Sequence, residues 1–218
     1  ACGAGQLTVP LAEWSNAVVG LDRSAEQLRT AAQHERVSYQ LGDAYALPLE
    51  AGSVGLLTIA QALHWLDLPR FFAEARRVLQ PGGTLAVAGY AVLRLGDPAM
   101  ERAFKRYYFE TLGSGREPGE PGCHWEISRP LLDGGFERTD FPFAEVSRSW
   151  LEDRRAMSLG MFLDYLRSMS AYRAYLQTGA ADPLPALAEE LRRAGGLTDE
   201  EHMEVTIPFF LVICRDGE

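Results

Sequence analysis

From Ala17 to Ala88 the chain alternates short, β-rich apolar runs with amphipathic stretches, and that alternation restricts its fold more than any other feature. Ala17-Val18-Val19-Gly20-Leu21 is an apolar run ending at Asp22. Val37 to Leu41 reads as the next strand, Val54-Gly55-Leu56-Leu57-Thr58-Ile59-Ala60 as a third and Thr84 to Ala88 as a fourth. Between them, Ser24-Ala25-Glu26-Gln27 opens a helix with a capping-box pattern. Leu68 to Leu79 sets Phe72, Ala75, Val78 and Leu79 on one side of a second helix, which Pro81-Gly82-Gly83 is expected to stop. Runs buried on both faces need helices over them, and short connections fit right-handed crossovers. The expected fold is α/β: a doubly wound, mostly parallel sheet with helices on both faces.

Ahead of this pattern, Ala1-Cys2-Gly3-Ala4-Gly5 leads into Gln6-Leu7-Thr8-Val9-Pro10-Leu11-Ala12, a glycine-rich turn running into an apolar helix. Gly3 and Gly5 can expose backbone N–H groups and let a ligand approach, because neither carries a Cβ; the plain alternative is a packing turn. Such a turn normally follows a buried strand, so the first central strand is expected upstream of residue 1. At the end of the next strand Asp22 can accept two ribose hydroxyls or, more simply, cap a helix. These residues do not by themselves separate nicotinamide from other adenosine cofactors. A dinucleotide fingerprint anchored at Gly3 and Gly5 would need glycine at position 8, and the chain has Thr8, which favours a cofactor without a pyrophosphate.

After Tyr90 the regularity fades. Asp97-Pro98 can cap and start a helix carrying Met100, Phe104, Tyr107 and Tyr108, and the glycine- and proline-rich stretch from Gly113 to Gly122 reads as a loop. Residues 92–137 are expected to be a helical insertion or lid between a cofactor-binding part, 1–91, and the C-terminal part of the same domain, 138–218. Phe136 to Trp150 holds strand-like pieces. Leu159, Phe162, Leu163, Leu166 and Met169 form a helical stripe, and Asp182-Pro183 opens a helix that ends at Gly195-Gly196. Pro208 should confine the last strand to Phe209–Cys214.

A chain of 218 residues with 47% apolar content can bury a sizeable core. Its net charge of −9, with no extended basic tract, argues against a nucleic-acid partner. Three cysteines without disulfide or metal-knuckle spacing suit a reducing compartment, so a cytoplasmic location is expected. No apolar run is long enough for a membrane span, and His34, His64, His124 and His202 are too dispersed to suggest a metal site.

Four ordered segments resemble the class I S-adenosylmethionine-dependent methyltransferases, which have a Rossmann-like fold. Ala1, Gly3 and Gly5 match the small positions of that family's first motif, with Ala1 in place of a glycine. Asp22 in Gly20-Leu21-Asp22-Arg23-Ser24 matches its ribose-binding acid, and Asp43-Ala44 in Gly42-Asp43-Ala44-Tyr45 its adenine-side segment. Ala60-Gln61-Ala62-Leu63-His64-Trp65 matches its post-strand segment, and Arg77-Val78-Leu79-Gln80-Pro81-Gly82-Gly83-Thr84-Leu85 its helix-to-strand turn. The resemblance implies S-adenosylmethionine as cofactor, held by Ala1, Gly3, Gly5, Asp22, Arg23, Asp43, Ala44, Gln61, Ala62 and His64.

Within that family, His64-Trp65 and the whole-chain layout are most similar to trans-aconitate methyltransferase-type proteins. That likeness implies a small-molecule substrate, polar or carboxylated, and possible methyl-ester formation. His64 is the candidate catalytic acid–base, or a group that orients the acceptor, since a carboxylate is already ionised at neutral pH. Trp65, Tyr107 and Tyr165 could wall a substrate pocket, and Arg94, Arg106 and Arg173 could clamp an anionic acceptor. The alternative class is a noncatalytic S-adenosylmethionine-binding or protein-interaction module.

Overall fold

The apolar runs become strands, and the capping residues fix the helices between them. In the computed structural model, which describes residues 1–198 and 201–217, a short α1 (Thr8–Leu11) follows the glycine turn and precedes β1 (Val18–Asp22). The Ser24 hydroxyl accepts from the Gln27 N–H to cap α2 (Ala25–Arg29), and β2 (Val37–Leu41) returns parallel to β1, with Val18 opposite Val37 and Asp22 opposite Leu41. β3 (Val54–Ala60) leads through a 3₁₀ turn (Leu63–Trp65) to α3 (Leu68–Val78), whose first turn is capped by Asp67 and contains Pro69. β4 (Leu79–Tyr90) then pairs parallel to β3 from Leu56 opposite Thr84 to Ala60 opposite Ala88.

These elements belong to a first compact unit, Ala1–Gly89 with Asp140–Ser149 and Leu211–Glu218. Its strands form two sheets, the β1-β2 pair and a second sheet in which β4 lies next to β3. α3 buries Phe71, Phe72, Ala75 and Val78, and the Phe72 ring packs 5.2 Å from that of Phe141. Pro81-Gly82-Gly83 does not stop the helix. α3 ends at Val78, and the chain enters β4 directly, absorbing the bend at Gly82 (φ +72°) and a register shift between Val54 and Leu56.

The second unit, Tyr90–Thr139 with Trp150–Phe210, holds β5 (Arg94–Leu95), α4 (Pro98–Lys105), a π-helical turn (Arg106–Thr111) and α5 (Arg129–Asp133). β6 (Glu145–Ser158) and β7 (His202–Arg215) contribute residues to both units, and α6 (Leu159–Ser168), α7 (Ser170–Gln177) and α8 (Leu184–Gly195) lie between them in sequence. β5 runs antiparallel to β7, with Arg94 opposite Thr206 and Leu95 opposite Val205; β6 also pairs with β7. The core of this unit is built from Phe104, Leu112, Phe162, Leu166, Leu191 and Val205, all fully buried, with Phe104 and Phe162 edge to face at 5.4 Å.

Two sequence expectations change here. β6 is one long, largely exposed strand where strand-like pieces ending at Trp150 were expected, because its charged residues carry no apolar face to read. β7 continues through Pro208, whose carbonyl accepts from the Ala91 N–H while its missing donor leaves the strand unbroken. Among the described residues, no helix is long and apolar enough to cross a membrane.

Candidate functional site

In the first unit the glycine turn and the end of β1 are tied together through Asp22. Its two carboxylate oxygens each take one backbone N–H, Gly3 at 2.8 Å and Ser24 at 2.9 Å, and the residue is 9% exposed. Burial works to raise its pKa, but the N–H groups of Ser24 and Gly3, with the Ala1 ammonium and the Arg23 N–H, act against it and hold the carboxyl below its ordinary value. A carboxylate has about four acceptor sites. Asp22 is thus fixed in position with acceptor capacity left for a ribose hydroxyl.

Gly3 (φ +55°) and Gly5 (φ +87°) adopt left-handed conformations that strain other residues. For Gly5 there is a second constraint that sequence reasoning missed: a Cβ there would lie 2.2 Å from the Tyr39 hydroxyl, and one on Gly20 would lie 2.6 Å from the Tyr39 ring. Tyr39 packs across the turn and donates to the Ala32 carbonyl at 2.9 Å. Gly5 is therefore small in order to admit Tyr39, whatever else the turn binds.

Asp43 accepts from the Tyr45 N–H at 3.0 Å, and the segment behind it is clamped to α3. Glu74 takes the Leu47 N–H, and Arg77 donates to the carbonyls of Leu47 and Leu49 while pairing with Glu74. The Arg77 hydrogen bond, helped by the Leu47 N–H and opposed by burial, holds the Glu74 carboxyl below its ordinary value. At the end of β3, Gln61 has φ +49°, a conformation non-glycine residues adopt at a cost, and its N–H donates to the Ala88 carbonyl. Ala62 is buried, and His64 and Trp65 follow in the 3₁₀ turn with ring centroids 5.6 Å apart.

The second unit contains a buried polar cluster that sequence reasoning did not single out. Arg129 donates from Nε to the Tyr108 hydroxyl (2.9 Å) and from Nη2 to Asp133 (2.7 Å). Asp133 also accepts from Tyr108 (3.0 Å) and Ser114 (3.3 Å). The guanidinium lies 4.6 Å over the Trp125 ring, whose indole Nε1–H is buried with no hydrogen-bond partner. Such an unmet donor costs about 1–3 kcal/mol. Burial raises Asp133 above the usual carboxylate value, against the pull of Arg129 and the donors around it. Tyr165 shares a hydrogen bond with Tyr90, and burial raises it too, in the fields of Arg129 and Asp133.

The family model described as a methyltransferase domain matches residues 1–87. A solved structure from Anaeromyxobacter dehalogenans, provisionally titled a type II methyltransferase, is 35% identical, with a TM-score of 0.83 over 100% of this chain and 88% of its own. A protein of Dictyostelium discoideum with a provisional methyltransferase name is 29% identical over 216 residues, 98% of this chain and 79% of that one. A Bacillus halodurans structure, 18% identical with TM-score 0.54 over 100% of this chain and 90% of its own, shares the fold. This chain is a class I S-adenosylmethionine-dependent methyltransferase.

In this methyltransferase the residues matched to the cofactor fall on the turn, the ends of β1 and β3, and the segment after β2, all in the first unit. Ala1 and Arg23 are exposed. The residues considered for the acceptor are scattered by comparison. Trp65 is half exposed; Arg94 pairs with Glu152 and Arg106 with Glu190 on the surface, and Arg173 is exposed. The Tyr107 hydroxyl is buried without a partner, and burial raises its pKa. Of this group, Tyr165 hydrogen-bonds Tyr90 and lies in the electrostatic field of the Arg129–Asp133 pair. The legible signal for that pair was its i,i+4 spacing after Ser128, with Pro130 in the first turn of α5.

Proposed function

We propose that this methyltransferase acts on a small polar or carboxylated metabolite, with a methyl ester as the preferred product, and that Asp22, the Gly3–Gly5 turn, Asp43–Ala44 and Gln61–His64 hold the cofactor. The observation that carries the cofactor assignment is Asp22, locked by two backbone N–H groups with acceptor capacity to spare. Bound S-adenosylmethionine supplies an electrophilic methyl carbon: as an acceptor oxygen forms the new C–O bond, the C–S bond breaks and its electron pair stays on sulfur. The protein's own share is alignment and exclusion of water, worth several kcal/mol of barrier.

The carboxylate reading is supported by the resemblance to trans-aconitate methyltransferase-type proteins and by the acidic chain's lack of a basic nucleic-acid tract. A carboxylate needs no general base, so His64 orients the acceptor instead of deprotonating it. Three unpaired cysteines support a cytoplasmic setting. The test is a mass-spectrometric screen for a 14-Da increment across small acids, their neutral amides, and amines. Preferential turnover of the acids is expected, and exclusive methylation of amines or faster turnover of the amides would overturn the assignment. A His64→Gln variant should leave the shape of the pH–rate profile unchanged; loss of a limb near pH 6–7 would make His64 a proton carrier.

A further inference from the structure

In the first unit, α3 starts with one donor that its own sequence cannot satisfy. Asp67 is the N-cap and accepts the Arg70 N–H at 3.1 Å. The N–H of Asp67 itself falls between two patterns, because the Leu66 N–H closes the 3₁₀ turn on the Leu63 carbonyl and the Phe71 N–H bonds the Asp67 carbonyl. In a capping box a Glu or Gln three places on reaches back to that donor. Here the residue is Arg70, whose guanidinium has no acceptor. The acceptor comes instead from 22 residues earlier: the Tyr45 hydroxyl takes the Asp67 N–H at 2.7 Å, and the Arg70 guanidinium lies 4.3 Å from the centroid of the Tyr45 ring.

Tyr45 is half-buried and follows Asp43–Ala44, with its N–H held by the Asp43 carboxylate. The same segment is already fastened to α3 farther along, where Glu74 and Arg77 hold Leu47 and Leu49. One attachment lets a loop pivot about it, and a second at the opposite end stops the pivot. The second attachment falls at the end that carries Asp43 and Ala44, and it lands just beyond His64 and Trp65. Had α3 needed only an acceptor, a Gln at position 70 would supply one locally. An acceptor drawn from a distant segment adds what a local cap cannot, a bond between two of the segments assigned to the cofactor.

We propose that Tyr45 is a positioning residue for methyl transfer, latching the Asp43–Ala44 segment to the segment from Gln61 to Trp65 so that the two keep a fixed spacing around the cofactor. This inference rests on the cofactor assignment above and names the side chain that holds two of its parts together. Tyr45 acts through Asp43 on one side and through Asp67 and the turn before it on the other.

Tyr45→Phe removes the hydroxyl and keeps the ring under Arg70. Adding Arg70→Gln supplies the capping-box acceptor and repairs the start of α3 without rejoining the two segments. S-adenosylmethionine is titrated calorimetrically into the full-length protein and both variants, and each is followed through thermal unfolding. Tyr45→Phe should bind the cofactor about three- to tenfold more weakly and unfold at a lower midpoint; the double variant should regain most of the midpoint but not the affinity. Recovery of both together would reduce Tyr45 to a helix cap and overturn the latch, as would wild-type affinity in Tyr45→Phe. Asp22→Ala separates the latch from the reading beneath it: affinity lost there and kept in Tyr45→Phe overturns the latch alone, whereas a wild type that binds no S-adenosylmethionine overturns both. Should the double variant fail to fold, Tyr45→Phe decides alone, and unchanged affinity there counts against the latch.

Discussion

Asp22 and Asp133 are both carboxylates with little exposure, and they are held in opposite ways. Asp22 is satisfied by backbone, through N–H groups fixed by a turn and a helix start, and its pKa is lowered. Asp133 is satisfied by side chains from three separate places in the chain, Tyr108, Ser114 and Arg129, and burial raises it. A carboxylate held by the backbone is set once the local fold forms. One held by side chains depends on an arrangement that packing must maintain.

The largest expected effect follows from breaking the second arrangement. Asp133→Ala leaves Arg129 buried without its anion, and loss of about 3–5 kcal/mol in urea unfolding is expected; a loss below about 1 kcal/mol would show the pair to be effectively solvent-exposed. Next comes the turn. Gly5→Ala sets a Cβ 2.2 Å from the Tyr39 hydroxyl at φ +87°, so about 1–3 kcal/mol should be lost. Tyr39→Phe in the same chain should recover part of it, leaving the backbone strain; strict additivity of the two changes would mean that Tyr39 is not the obstacle.

The contrast in pKa gives a difference in sign. Because Asp22 is lowered, its contribution to stability is present above the ordinary carboxylate value near 4 and is lost as pH falls through its folded value. Because Asp133 is raised, the folded state keeps its proton to higher pH than the unfolded chain does, and stability falls as pH rises from about 4 through the folded value. In unfolding curves from about pH 3 to pH 6, Asp22→Asn should remove a rise in stability with pH and Asp133→Asn a decline. Slopes of the same sign would erase the distinction. The smallest effects belong to the surface: Arg94→Ala and Arg106→Ala break exposed pairs with Glu152 and Glu190 and should each change stability by less than about 1 kcal/mol.

What could be read from the chain alone divides along the same line. β1 to β4, the Ser24 cap and the position of Asp22 follow from apolar runs and local hydrogen bonding, which a sequence displays directly. The requirement for Gly5 was legible as a turn but not as a place for Tyr39, since that contact spans the distance from the turn to β2. Tyr108, Trp125 and the Arg129–Asp133 pair come from three segments, the pair alone sharing a helical spacing, and the π-helical turn that delivers Tyr108 breaks the 3.6-residue pattern that would place it. β6 and Pro208 in β7 escaped for a different reason: strand pairing there overrides unfavourable local chemistry.

The central claim is that Asp22 is the anchor for the adenosyl cofactor, and it is tested most directly by titrating S-adenosylmethionine into the full-length protein and its Asp22→Ala variant. The expected result is saturable binding to the wild type, with the variant weaker by about 1–3 kcal/mol, roughly five- to 150-fold, and with NAD binding neither. Equal affinity for both proteins, or wild-type binding of NAD and not of S-adenosylmethionine, would contradict it.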